Sequence, residues 1–240
     1  MPAPRLRRLV QLYLGLGLYG LSGSFLLLAG LGLDPWNVLH QGLSRQLGLG
    51  VGTWAILVGF AVLLLWIPLR QRPGIGTVSN VLVVGAVIDL ILATVSPPHA
   101  LALRIALLIS GVLLNGIATG AYIGAGLGPG PRDGLMTGLA LRGHAIWRVR
   151  TALEISVFAA GWALGGTIGV GTLVYAASIG PLAHFFIPLL AIAAPAPDPD
   201  GAGRRGGAAA AAISPAADAG TPGRASGRTS RRPRGAWRRR

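Results

Sequence analysis

The chain has 240 residues, of which 52% are hydrophobic and only 12% charged, with a formal net charge of +14. This balance excludes an ordinary soluble globule and places the chain among membrane proteins. It has no cysteine, so disulfides, thiolate metal sites and a cysteine nucleophile are excluded as well.

Six apolar stretches follow one another, near 9–33, 51–69, 77–96, 100–127, 151–170 and 172–194. Each approaches the ~20 residues that carry a helix across the hydrocarbon core. The first begins with Arg5, Arg7 and Arg8 like a secretory signal. Its apolar run is too long for one and no A-x-A cleavage site follows, so it is read as a retained span. Between the first two stretches lies D-P-W-N-V-L-H-Q-G-L-S, starting at Asp34. Asp34 suits an N-cap and Pro35 the first helical position. Trp36, Leu39, Leu43 and Leu47 then form an apolar stripe, with Asn37, His40, Gln41 and Ser44 elsewhere. After the fourth stretch, G-P-R-D-G-L-M-T-G-L-A from Gly130 opens in the same way. A helix of about a dozen residues spans about 18 Å, too short to cross, so each connector is expected to be re-entrant or interfacial. Beyond residue 194 the chain is rich in Pro, Gly, Ala and Ser and holds 10 of the 21 arginines, the pattern of a disordered tail.

The order of these elements is a duplication. At an offset of 96, Gly15 meets Gly111, Gly20 meets Gly116, Ala29-Gly30-Leu31-Gly32 meets Ala125-Gly126-Leu127-Gly128, Pro35 meets Pro131 and Trp66 meets Trp162. After a one-residue slip, Gly74-Ile75-Gly76-Thr77 meets Gly169-Val170-Gly171-Thr172. The period is far longer than a solenoid repeat. Three spans per copy is an odd number, so the copies must sit inverted to one another. The expected fold is all-α: six transmembrane helices as two inverted three-helix repeats, each with a short helix after its first span. Residues 1–97 are the first repeat, 98–194 the second, and 195–240 an Arg-rich cytoplasmic tail.

Arginine placement sets the orientation. With the N-terminus inside, the inner segments hold Arg5, Arg7 and Arg8; Arg70 and Arg72; Arg132, Arg142, Arg148 and Arg150; and the tail. The outer segments hold only Arg45 and Arg104. This is a strong positive-inside bias, and equivalent loops of the two copies have opposite charge character.

Polar groups inside spans are costly and each needs a reason. Asp89, in the third span, has His184 in the sixth as its repeat partner, and the two are candidates for proton or ion coupling. Glu154 is expected to pair with Arg150 one turn earlier. Asn80, Asn115 and Tyr122 read as interhelical hydrogen bonders. Gly116, Gly120, Gly124 and Gly128 line one face of the fourth span. That face is expected to pack inside the chain rather than form an oligomer interface, with the first and fourth spans meeting across a pseudo-twofold axis. The four histidines show no metal-ligand spacing, and no H-E-x-x-H, Walker A or G-x-S-x-G motif is present. No enzyme, cofactor or metal is expected.

The strings L-G-L-D-P-W-N-V-L-H-Q-G-L-S (31–44), W-I-P-L-R-Q-R-P-G-I-G-T (66–77) and G-A-G-L-G-P-G-P-R-D-G-L-M-T-G-L (124–139) resemble the bacterial YczE/YyaS/YitT-like integral membrane proteins. The resemblance covers about residues 9–190. It implies a multi-span protein of the bacterial plasma (inner) membrane, with both termini cytoplasmic here, and offers no catalytic residues. Half-helices in inverted repeats commonly build transporter sites. The expected function is therefore a small-solute transporter or permease with a site between the repeats, at Trp36, Asn37, His40, Arg132 and Asp133. The alternative is a non-transporting membrane scaffold or accessory subunit. Expected partners are the lipid bilayer, a small solute of unknown identity and anionic lipids at the tail; nucleic acid is not expected.

Overall fold

The structure, a computed structural model, describes residues 5–143 and 145–192. The chain divides into a unit spanning residues 1–202 and one spanning 203–240, and all described residues lie in the first. The tail expected over 195–240 lies outside the described residues. Eight α-helices follow in order: α1 (Arg5–Ala29), α2 (Pro35–Leu47), α3 (Val51–Leu69), α4 (Ile75–Thr94), α5 (Leu101–Gly124), α6 (Pro131–Ala140), α7 (Ile146–Ala163) and α8 (Val170–Leu190). Among the described residues, five helices are long and apolar enough to cross a membrane: α1, α3, α4, α5 and α8. The stretch expected as a span over 151–170 behaves differently. Ile146, Trp147 and Val149 extend α7 backward, so the helix starts at Ile146 and takes in Arg148 and Arg150 beside Glu154. With three charges in 18 residues it stands apart from the other five.

The α1–α5 pair is the centre of the bundle. Gly15 lies against Ala121 and Tyr122, and Gly111 against Phe25 and Leu26, so the two helices run antiparallel. The close approach is stitched by buried polar groups. Ser22 Oγ donates to the Gly111 carbonyl at 2.8 Å, Asn115 Nδ2 donates to Ser22 Oγ at 3.0 Å, and Tyr175 of α8 donates to Asn115 Oδ1 at 3.2 Å. Asn115 thus acts between helices, as its position within an apolar span implies. Around this pair, Leu26, Leu33, Val38, Ile88, Leu108 and Val112 form the main apolar cluster. The glycine face of α5 packs inside the chain, as expected, but on α8. Gly116, Gly120 and Gly124 lie against Leu182, Phe186 and Leu190 of α8, not against α1. Gly20 of α1 lies against Val87 of α4 in the matching way. Small residues on α1 and α5 thus admit the last helix of each copy, while the α1–α5 contact itself is made around Gly15 and Gly111.

The G-x-G-T strings carry contacts between the N-terminal and C-terminal halves of the bundle. Gly76 N–H donates to the Leu127 carbonyl at 2.9 Å, and Gly171 N–H donates to the Leu31 carbonyl at 2.8 Å. Thr77 Oγ1 donates to the Pro129 carbonyl at 2.8 Å. Each G-x-G-T string, at the start of α4 or α8, therefore docks on the loop that follows α5 or α1. Gly32 and Gly128, in those loops, have φ of 124° and 125°, a conformation a side chain would strain. A Cβ at Gly32 would also stand 2.7 Å from the Thr172 nitrogen.

The short helices form where their opening residues dictate. Asp34 caps α2, its carboxylate accepting the Asn37 N–H at 3.3 Å and the Asn37 amide at 2.6 Å. Pro131 opens α6. Neither helix lies on the outside of the bundle. α2 packs on α7 and α3, with Gly42 against Gly161, and α6 packs on α3 and α7, with Gly134 against Trp66. Trp66 Nε1–H donates to the Pro131 carbonyl at 3.0 Å, fixing the start of α6. The buried face of α2 holds Asn37, Val38, His40 and Gly42, whereas Leu47 of the expected apolar stripe is 63% exposed. The polar residues turn inward because a cavity, rather than a packed core, lies on that side.

Candidate functional site

The cavity lies where α2 and α6 approach α1, α3, α4 and α5. Its volume is about 100 Å³, room for a ligand of only a few heavy atoms. Residues on either side of the duplication line it. Asp34, Trp36, Asn37 and His40 come from the N-terminal half of the bundle and Tyr122, Pro131, Arg132 and Asp133 from the C-terminal half. All five residues singled out from the sequence, Trp36, Asn37, His40, Arg132 and Asp133, stand on this one wall system. Asn37 and Asp133 occupy matched positions of the repeat.

Arg132 is the cation of the site. Its guanidinium donates to Tyr19 Oη at 3.1 Å and stands 3.8 Å from Asp133 and 4.0 Å from Glu154. Glu154, expected to pair with Arg150, faces Arg132 instead, because α7 packs on α6. Asp133 also accepts the Tyr122 hydroxyl at 2.8 Å, and the Tyr19 and Tyr122 rings meet edge to face at 5.8 Å. This chain of contacts ties the start of α6 to α1, α5 and α7. Asp34, only 4% exposed, accepts from the Asn37 backbone and side chain and feels the charge of Arg132.

Three buried polar atoms at the cavity have no partner: Trp36 Nε1 and both ring nitrogens of His40. Buried polar atoms are nearly always hydrogen-bonded, and leaving one unmet costs about 1–3 kcal/mol. A buried imidazolium with no acceptor beside Arg132 would be uncompensated, so the ring is neutral and offers one donor and one acceptor. Trp36 and His40 rings lie 6.5 Å apart, so these unmet groups are neighbours. The arrangement can hold a small polar molecule by several directed hydrogen bonds.

The proposed coupling residues lie elsewhere. Asp89 accepts the Gly52 N–H at 2.7 Å and the Thr53 hydroxyl at 2.6 Å, capping the start of α3. His184 is exposed on α8, and neither residue lines this cavity. Four polar lining residues are not singled out as site residues by the sequence. Asp34 was assigned only a capping role, Asn80 and Tyr122 only helix bonding, and Tyr19 none. The available signal is a tyrosine inside an apolar span, four positions after Gly15 and three before Ser22; that this face meets the cavity emerges only from the packing. Among the described residues no group of three or more His, Cys, Asp or Glu could hold a metal ion.

Residues 6–188 match a family of unknown function, DUF6198. Three bacterial proteins are similar to the chain. A Haemophilus influenzae protein, named as uncharacterized, is 40% identical over 181 residues, covering 75% of this chain and 83% of its own length. The uncharacterized membrane protein YczE of Bacillus subtilis is 35% identical over 161 residues, covering 66% and 74%. YyaS of the same organism, named as uncharacterized, is 30% identical over 186 residues, covering 75% and 92%. No solved structure matches the chain.

Proposed function

The chain belongs to the DUF6198 family and is an integral membrane protein, and we propose that it moves a small solute across the bacterial plasma membrane through the cavity between its two copies. The observation that carries this reading is the cavity wall itself. Short-helix starts from both copies line it, and two of its lining residues, His40 and Trp36, bury ring nitrogens that have no hydrogen-bond partner. A scaffold has no use for such atoms, whereas a site that alternately fills and empties does.

In this reading the copies are inverted and α7 is the fifth of six spans, with Arg148 and Arg150 at its cytoplasmic end. The antiparallel α1–α5 pair and the matched Gly76–Leu127 and Gly171–Leu31 bonds support the inversion. α2 and α6 act as re-entrant helices, and the arginine distribution puts both termini in the cytoplasm. The arginine-rich tail meets anionic headgroups on that side.

Flux into proteoliposomes containing the full chain tests the proposal. A panel of amino acids, organic anions, cations and peptides, with and without a pH gradient, should include a solute taken up saturably, and His40→Leu should abolish that uptake. No flux above protein-free vesicles for any solute, from folded protein, would overturn it in favour of a scaffold.

A further inference from the structure

We propose that the solute is a small organic amine carrying a hydroxyl or other uncharged acceptor, bound as its ammonium ion against Asp34. The inference rests on the transport reading above and narrows its substrate class.

The charge around the cavity decides the sign of the ligand. Among the described residues Arg132 is the only cation lining it, and it is already met by Tyr19, Asp133 and Glu154. A solute carboxylate or phosphate would compete with two carboxylates for one guanidinium. Asp34 is the opposite case. It is 4% exposed, its side-chain oxygens accept from Asn37, and among the described residues no cation stands within ion-pair distance of it, the charge of Arg132 reaching it only from further off. A buried carboxylate in that state calls for a positive partner. One guanidinium against three carboxylates leaves the region electronegative.

The uncharged groups decide the rest. His40, 7% exposed, offers a bare ring nitrogen able to accept an ammonium N–H. Its other nitrogen and Trp36 Nε1 are unmet donors, and they call for an acceptor elsewhere on the ligand. Tyr19, Trp36 and Tyr122 present aromatic rings to the same space, which favours a cation over an anion.

Calorimetric titration of the full chain in detergent micelles tests the class with four matched probes: ethanolamine, butylamine, ethylene glycol and glycolate. Ethanolamine should saturate, butylamine should bind more weakly, and ethylene glycol and glycolate should not saturate. Asp34→Asn keeps a good N-cap and should weaken ethanolamine by about 30-fold or more, the usual consequence of removing one partner of a buried charge pair. Should that variant lose its monodispersity, the ethanolamine and ethylene glycol titrations of the unaltered chain decide alone. Saturation by glycolate or ethylene glycol in preference to ethanolamine, no saturation by either amine, or unchanged amine affinity in folded Asp34→Asn would overturn the proposal. Saturable proteoliposome flux of a non-amine, with no amine binding, would overturn this class and leave the transport reading standing.

Discussion

Gly134→Ala should destabilise the protein, against the intrinsic preference of the residue exchanged. In an open helix the replacement of glycine by alanine is worth about 0.5–1 kcal/mol in the favourable direction. At Gly134 the new Cβ would stand 2.9 Å from Trp66 Cε2 and closer still to Cζ2 and Cη2. Trp66 is 2% exposed, packed among Val62 and Leu135, and held by its Nε1–H bond to Pro131, so it has no empty space to enter. Overpacking of this kind costs about 1–3 kcal/mol. Losing the indole bond adds about 0.5–1.5 kcal/mol. The helix gain offsets part of this, leaving a net loss of about 1–3 kcal/mol. Gly17 and Gly180 supply the control, since a Cβ at either meets nothing within 4 Å. Thermal unfolding in detergent should place Gly134→Ala below the parent and Gly17→Ala and Gly180→Ala at or above it. Equal midpoints for Gly134→Ala and Gly17→Ala would refute the packing of α6 on α3 that holds Arg132 and Asp133 at the cavity.

Gly76→Ala and Gly171→Ala should each lower the unfolding midpoint, because the added Cβ would meet the Leu127 carbonyl at 2.9 Å and the Gly32 carbonyl at 2.8 Å; a loss at one position only would argue against matched docking of the two copies. Asn115→Leu leaves the Ser22 and Tyr175 hydroxyls short of a partner in the core, and should cost about 1–3 kcal/mol by detergent-denaturant titration. Arg132→Ala leaves Asp133 and Glu154 without their cation and should abolish uptake, with Arg132→Lys restoring part of it. The absence of native cysteine makes topology measurable without background: single cysteines at Ser44 and Ala145 should label from opposite sides of the membrane, and labelling from the same side would contradict inversion.

The parts of the architecture written as strings are legible in the sequence. Asp34-Pro35 and Gly130-Pro131 start helices because their chemistry is local: a capping carboxylate in one, a proline with no N–H to satisfy in both. The repeated G-x-G-T string has its explanation in contact rather than in a nucleotide motif, since its glycines admit a facing carbonyl. What escaped depended on register between distant segments. Nothing in the sequence says that Gly116 faces α8 while Gly111 faces α1, or that Glu154 meets Arg132 across two helices instead of Arg150 along its own. The apolar stripe of α2 misled for a related reason: amphipathic helices turn apolar residues inward only where the interior is packed, and here Asn37 and His40 border a cavity. The site was visible as matched polar positions, but Tyr19 and Asp34 joined it only through the packing.

The most direct measurement is solute counterflow in proteoliposomes carrying equal amounts of the full chain and of Arg132→Ala. Vesicles preloaded with excess unlabelled ethanolamine should accumulate labelled ethanolamine transiently when the parent chain is present, and should not with Arg132→Ala. Absence of counterflow for ethanolamine and for every other member of the solute panel, with protein shown to be folded and inserted, would contradict a transport site between the two copies.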